Sequence, residues 1–366
     1  MIEFQLLNTI DLEAFIESAA FRQMPDLPIS THRALSHINN PRAAKEDVLL
    51  VIAWENEQMI GYLGLVPDKI AYAGQMEPLA WMSCLWVDPK QRGRRIAWQL
   101  LEHAAQAWEK RLIITEFTAP AKRLYDKIGY FRYFKRKGIR LYVRMDLAYI
   151  LPPKGIRFQK FKQLIKTFDI LSNLFLDIRR LFISRKLKGL QLKYIDQIDA
   201  ETIDFIEKHQ TDSELFKRGD KELNWMVQFP WILNTTAAKE EQKRYYFSAY
   251  GTDFQFVPLQ LRDESGDLIA FLLFAKRNQN LKLPYCYYTG DIQVVAKVIE
   301  HHILKWKIST FTTYHSELAQ YFSAHKGVAF HKKEVIREYL LSTYFTEKGL
   351  EGCSKIQDGD GDSSFT

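Results

Sequence analysis

With 366 residues, 47% of them hydrophobic and 14% aromatic, the chain has length for two domains of ordinary size and is too apolar to be disordered. Its formal net charge is +7, which favours anionic partners over cationic ones. Cys84, Cys286 and Cys353 lie far apart in no metal-ligand or disulfide spacing, which excludes a disulfide scaffold and suits a reducing compartment.

The opening MIEFQLLNTIDLEAF carries an acid early and no basic stretch ahead of an apolar core, so it does not read as a secretory signal. No apolar run approaches ~18 residues, so no membrane span is expected and a cytoplasmic location follows. Phe4 to Thr9 read as a strand and Leu12 to Met24 as a helix. VLLVIAWENEQMIGYLGLVPDK reads as a strand pair around a polar turn. Trp81 to Val87 then carry few charges and several large apolar groups, the pattern of a strand buried on both faces.

Asp88-Pro89 ends that strand, because proline cannot donate to a ladder and pushes its predecessor out of the helical region. Beyond it, Ile96, Leu100, Leu101, Ala104 and Trp108 recur at helical spacing. Between strand and helix stands the cluster Arg92, Arg94 and Arg95. Cations at a helix N-terminus have the wrong sign for the macrodipole unless an anion arrives, and the free N–H groups of a first helical turn suit a phosphate. The order is strand, phosphate-sized turn, helix.

Val87-Asp88-Pro89, Arg92-Gly93 and Ile96-Ala97 resemble the acetyl-CoA signature of the GNAT N-acyltransferases, V-x-P leading into R/Q-x-x-G-x-G/A. Arg95 stands at the first glycine and Ala97 at the second small residue. A second resemblance follows in TAPAKRLYDKIGYFR, where Ala121, Leu124, Tyr125, Lys127, Gly129 and Tyr130 fit N-x-x-A-x-x-L-Y-x-K-x-G-F and Thr118 replaces the asparagine. RLIITEFT supplies the strand between the two, and KGIRLYVRMDL reads as the strand that closes the sheet. The resemblance implies acetyl-CoA as co-substrate and no metal. It places Leu85, Trp86 and Val87 against the pantetheine arm, and Gln91, Arg92, Gly93, Arg94, Arg95, Ile96 and Ala97 around the diphosphate. It also gives Tyr125 the role of acid toward the departing thiolate. A tyrosine with a pKa near ~10 is protonated at neutral pH, so that acid needs no tuning. For the general base, Glu77 and Glu116 are the local carboxylates, and neither is preferred.

Phe161, Leu164, Phe168, Leu171, Phe175, Ile178 and Phe182 then mark one apolar stripe of a helix, with a possible break near Ser172-Asn173. From Lys154 to Lys193 there are eleven Lys or Arg against two Asp, so the positive charge of the chain belongs mostly to this segment. The expected use of the stripe is packing across two domains; contact with an anionic membrane surface is second, and no reader of specific nucleic acid is recognised. The remaining pattern, strands over 247–278 with an Asp-Glu-Ser-Gly-Asp hairpin, then strand 281–288, helix 292–306, strand 308–314, helix 317–324 and strand 331–342, repeats the GNAT order. Thr289-Gly290-Asp291 replaces the arginine turn there, and Tyr321 falls near the place of Tyr125.

The expected architecture is therefore an α/β mixed sheet of the GNAT fold in two tandem copies. Residues 1–148 are the acetyl-CoA domain, 149–193 a basic amphipathic helical linker, 194–346 a degenerate GNAT-like domain, and 347–366 a polar tail containing DGDGD. RGDKELNWMVQFPWI, residues 218–232, is assigned mainly to core packing. The expected activity is acetyl transfer to a primary amine on a small molecule or peptide, in a monomer or homodimer. The alternatives are a non-catalytic binding protein of this fold and an aminoacyl transferase resembling the tandem-GNAT peptidoglycan ligases.

Overall fold

The computed structural model describes residues 1–72, 74–181, 187, 189–234, 239–251, 253–350 and 355–362. Cys353, Phe182 and the last residues of the expected tail lie outside them. The chain divides into two compact units. The first comprises Met1–Arg136, Asp196–Gln255 and Arg337–Thr366; the second comprises Lys137–Ile195 and Phe256–Ile336.

In the first unit, β1 (Glu3–Leu7) leads to α1 (Thr9–Glu17), which Asn8 caps by accepting from the Asp11 N–H. The helix expected to run to Met24 stops at Ser18, whose hydroxyl accepts from the Phe21 N–H and starts a separate turn, Ala19–Gln23. Helix α2 (Thr31–Ile38) is not visible as an apolar pattern because most of what it buries is polar: Arg33, Ser36 and His37 besides Ala34. Strands β2 (Leu50–Glu55), β3 (Gln58–Tyr72) and β4 (Gln75–Val87) follow as an antiparallel meander. Then come α3 (Ile96–Ala107), β5 (Leu112–Ile114) and α4 (Ala119–Ile128).

The sheet of this unit runs β1-β2-β3-β4-β5 and ends on β12 (His331–Ser342), whose Leu340 and Leu341 pair antiparallel with Ile114 and Ile113. One face is covered by α3 through Ile96, Leu100, Leu101, Ala104 and Ala105, spaced to lie along one stripe. Each such leucine taken out of water stabilises the fold by roughly 1.5–3 kcal/mol. Gly61 permits this contact, since a Cβ there would lie 3.2 Å from both Ile96 and Leu100 side chains.

In the second unit, β7 (Gln191–Tyr194), β8 (Phe254–Arg262), β9 (Leu268–Arg277), β10 (Asn280–Tyr288) and β11 (Thr310–Thr313) form the sheet with the end of β6 (Phe131–Tyr142). Their order is β6-β11-β10-β9-β8-β7. Helix α5 (Lys162–Leu181) precedes β7, α6 (Ile292–Lys305) follows β10, and α7 (Ser316–Ala324) follows β11. Asp291 caps α6 by accepting from the Gln293 N–H at 2.8 Å, so the acid foreseen at that turn occupies the helix end itself. His302 is buried, with Tyr194 Oη and the Val298 carbonyl as partners, and burial lowers its pKa to about 4. It is a neutral core histidine.

The units do not divide the chain at 148 and 194. Residues 196–255 belong to the first unit, and the two closing strands exchange places: β6 pairs with β11 over Ile139–Tyr142, while β12 ends beside β5. Each strand is long enough to begin in one unit and finish in the other. Helix α5 is continuous through Ser172-Asn173, and the break falls instead at Phe161, which ends a short helix Ile156–Lys160.

Candidate active site

Strand β4 pairs in parallel with β5 only at Ala80↔Leu112 and Trp81↔Ile113. Beyond Trp81 the strands part, and the β5-facing edge of β4 leaves that ladder. On its other edge β4 keeps pairing with β3, but the register shifts between Ser83↔Gly64 and Trp86↔Tyr62, a bulge at Cys84-Leu85 with Cys84 at φ +59°. A Cβ on Gly64 would meet the Ser83 carbonyl oxygen at 2.9 Å, so only glycine lets β3 follow the bulge. Leu85 and Val87 pack toward the α3 side, while Trp86 stacks on Tyr62 on the other face at 5.4 Å between centroids.

The arginine turn lies at the open end of this split. Asp88 fixes its start, donating its N–H to Ile60 and accepting from the Lys90 N–H at 2.9 Å; a single turn, Pro89–Gln91, follows. Gln91 is half-buried, and Arg92, Gly93, Arg94 and Arg95 are exposed. Gly93 has φ +88°, and Arg95, at φ +62°, takes the left-handed conformation normally left to glycine, at a cost of about 1–2 kcal/mol. Arg95 offers no side-chain cap, so the first N–H groups of α3, from Ile96 and Ala97 on, open onto the turn. The three arginines differ in state: Arg94 holds Glu55 in a two-pronged ion pair at 2.6 Å, whereas Arg92 forms no ion pair among the described residues.

Tyr125 comes to the same split from α4. Thr118 caps that helix by accepting from the Ala121 N–H, and Gly129 at φ +73° ends it, donating to the Tyr125 carbonyl. The Tyr125 ring is buried edge-on against Phe117 and Phe131. Burial, and next the charge of Asp362, push its pKa up, so the hydroxyl stays protonated.

Asp362 is the residue that sequence reasoning missed. Far from forming a solvated tail, residues 356–362 are buried in the first unit. Arg337 donates to the Asp358 carbonyl, Arg136 to that of Ile356, and Arg218 binds Asp360 at 3.2 Å. Gly361 passes so close to Trp81 and Thr115 that a Cβ would lie 2.9 Å from either side chain. Asp362 then accepts from the Ser83 hydroxyl at 2.8 Å and from Thr115 Oγ1. Burial, and next Glu116, raise its pKa, while Thr115, Ser83 and Arg33 pull it down less. Of the two carboxylates considered earlier, Glu77 is bound by Lys348 and Tyr344, and Glu116 is exposed. The signal was the repeated acids of DGDGD, whose partners Arg337, Arg218, Thr115 and Ser83 lie from 21 to 279 positions away.

Around Ser83 the protein assembles a polar wall. Arg33, 3% exposed and lying 3.7 Å above the Trp231 ring, donates to Ser83 Oγ at 2.9 Å, Cys84 Sγ at 2.8 Å and Tyr245 Oη at 3.1 Å. Both ring nitrogens of buried His37 and the Tyr62 hydroxyl have no hydrogen-bond partner among the described residues. Burial, with the Arg33 charge, holds His37 well below its usual pKa and therefore neutral. Behind this wall Asp68 accepts from Trp81 Nε1 at 2.8 Å and from Arg218 and Arg42 at 2.7 Å. Burial would raise its pKa, but the two guanidiniums outweigh it and hold the carboxyl at about 2. A cavity of about 460 Å³ is lined by Ile113, Arg132, Phe134, Leu215, Tyr339 and Ile356 among others.

Residues 46–131 match the model of the acetyltransferase (GNAT) domain. This stretch is a GNAT domain. It contains the split of β4 and β5, the arginine turn and Tyr125, but not Asp362 or Arg33. A conserved protein of unknown function from Enterococcus faecalis V583, titled a probable N-acyltransferase, is 12% identical and matches 93% of this chain and 72% of its own, with a TM-score of 0.51. A GCN5-related N-acetyltransferase from Kribbella flavida is 11% identical over 93% and 70%, TM-score 0.47. The N-myristoyltransferase of Saccharomyces cerevisiae, solved with myristoyl-CoA, is 12% identical over 93% and 78%, TM-score 0.48. At the identity of the first match the likeness is one of fold, and that fold is the GNAT acyltransferase fold. No curated protein sequence matches the chain.

Proposed function

We propose that the protein is an acyl-CoA-dependent N-acyltransferase, with acetyl-CoA as donor and a primary amine as acceptor. The observation that carries the reading is the coincidence of the β4–β5 split with an exposed turn whose helix N–H groups are uncapped. The pantetheine arm would lie along Leu85, Trp86 and Val87, and the diphosphate over Gln91 to Ala97, with Arg92 as its free cation. In the reaction the amine nitrogen bonds to the thioester carbon, the C–S bond breaks, and Tyr125 Oη gives its proton to the sulfur. Asp362 takes the proton lost by the amine.

Calorimetric titration of the full chain with acetyl-CoA tests the donor, and longer acyl-CoA thioesters run beside it test chain length. Absence of any binding at millimolar ligand would end the reading. Arg92→Ala should weaken binding about tenfold, more at low salt than at high, and Arg94→Ala should weaken it less because that guanidinium already serves Glu55. Binding with no turnover across a panel of amino sugars, small amines, amino acids and lysine peptides would favour the non-catalytic alternative.

A further inference from the structure

Helix α5 is mounted with its polar face inward. Asp169, Asn173 and Asp177, spaced four apart, are the residues that fasten it: Asp169 accepts from the Ala148 N–H at 2.7 Å, Asn173 holds both the N–H and the carbonyl of Met145 at 2.8 Å, and Asp177 pairs with Arg144. The stripe Leu164, Phe168, Leu171, Phe175 and Ile178 lies on the opposite side, each of them between 49% and 71% exposed. The preceding turn adds exposed Ile156 and Phe161. A soluble helix normally buries such a stripe, so this one is built to meet something apolar.

Charge says what. Lys154, Arg157 and Lys160, in and just before the short helix that precedes α5, are exposed, whereas Lys162 and Lys166 stand on the anchored side of α5 with Arg144, Asp169 and Asp177. Its two acids are consumed in the anchoring contacts, Asp169 buried and Asp177 paired with Arg144. A second copy of the chain would bring an equal excess of positive charge onto the same stripe. An anionic lipid surface takes the apolar side chains into its acyl boundary and the cations at its headgroups. We infer that α5 with the turn before it docks the protein on anionic membranes, lying in the interface; no described helix is long and apolar enough to cross one.

The test is co-sedimentation of the full chain with phosphatidylcholine vesicles, with and without phosphatidylglycerol. Wild type should pellet with the anionic vesicles only, and added salt should release it. Phe168→Glu with Phe175→Glu should reduce binding more than tenfold while acetyl-CoA titration and circular dichroism stay unchanged, since both side chains are exposed and outside the proposed site. Lys154→Gln, Arg157→Gln and Lys160→Gln should each weaken binding about fivefold. No pelleting with anionic vesicles, or equal pelleting with neutral ones, overturns the inference. So does a wild-type dimer that the double variant splits, because the stripe would then cover a second copy.

Discussion

Replacing Asp362 by Asn leaves hydrogen bonds to Ser83 and Thr115 within reach but removes the proton acceptor. Turnover should fall by about 10²-fold or more with acetyl-CoA affinity unchanged. The carboxyl is raised above its ordinary value, so the acidic limb of kcat/KM should sit above pH ~4 and vanish in the variant. An unaltered limb would remove the role. Tyr125→Phe should likewise lower kcat without weakening acetyl-CoA binding; an unchanged rate would take the thiolate proton away from Tyr125. Asp68 obeys the opposite sign. Its folded pKa of about 2 lies below the unfolded 3.8, so its contribution to stability is full above pH ~4 and is lost as pH falls toward 2. Asp68→Asn should cost about 3–5 kcal/mol by leaving Arg218 buried with less charge opposite it, and should flatten that acid slope in denaturant titrations.

At the scale of elements, what could be read from sequence was what is local. Strand β4, the arginine turn, α3 and α4 each announce themselves within about twenty residues, through Asp88-Pro89, the Ile96-Leu100-Ala104 spacing and Gly129. The bulge does not, since it depends on Gly64 lying opposite Ser83. Putting a methyl there, Gly64→Ala, should cost about 1–3 kcal/mol and weaken acetyl-CoA binding by moving the split edge; full retention of both would show that the bulge is not needed. Arg33, Asp68 and Asp362 escaped because their partners are distant in sequence: Asp362 meets Ser83, and Arg218 meets Asp68. Helix α5 teaches a different lesson. Its period was legible, but a period says that two faces differ, not which of them the fold will turn inward.

At the scale of the whole molecule, the exchange of β6 and β12 divides the chain differently from any cut at a linker. Residues 337–342 complete the first sheet, and 196–255 pack with it. Amide hydrogen exchange on the intact chain should therefore show the end of β12 opening together with β5 and β4. If it opens instead with β8 to β11, the two units are not the cooperative ones. The repeated order of strands and helices was legible in the sequence. That each closing strand runs from one unit into the other was not, because its partners lie far off in the chain.

That arrangement has a consequence for synthesis. On the edge away from Trp81 the strand partner of Ile113 is Leu341, so a chain leaving the ribosome shows β5 with one bare edge while the whole of the second unit is still being made. The first unit cannot finish as it emerges; it must wait, sticky-sided, for its last rung to arrive.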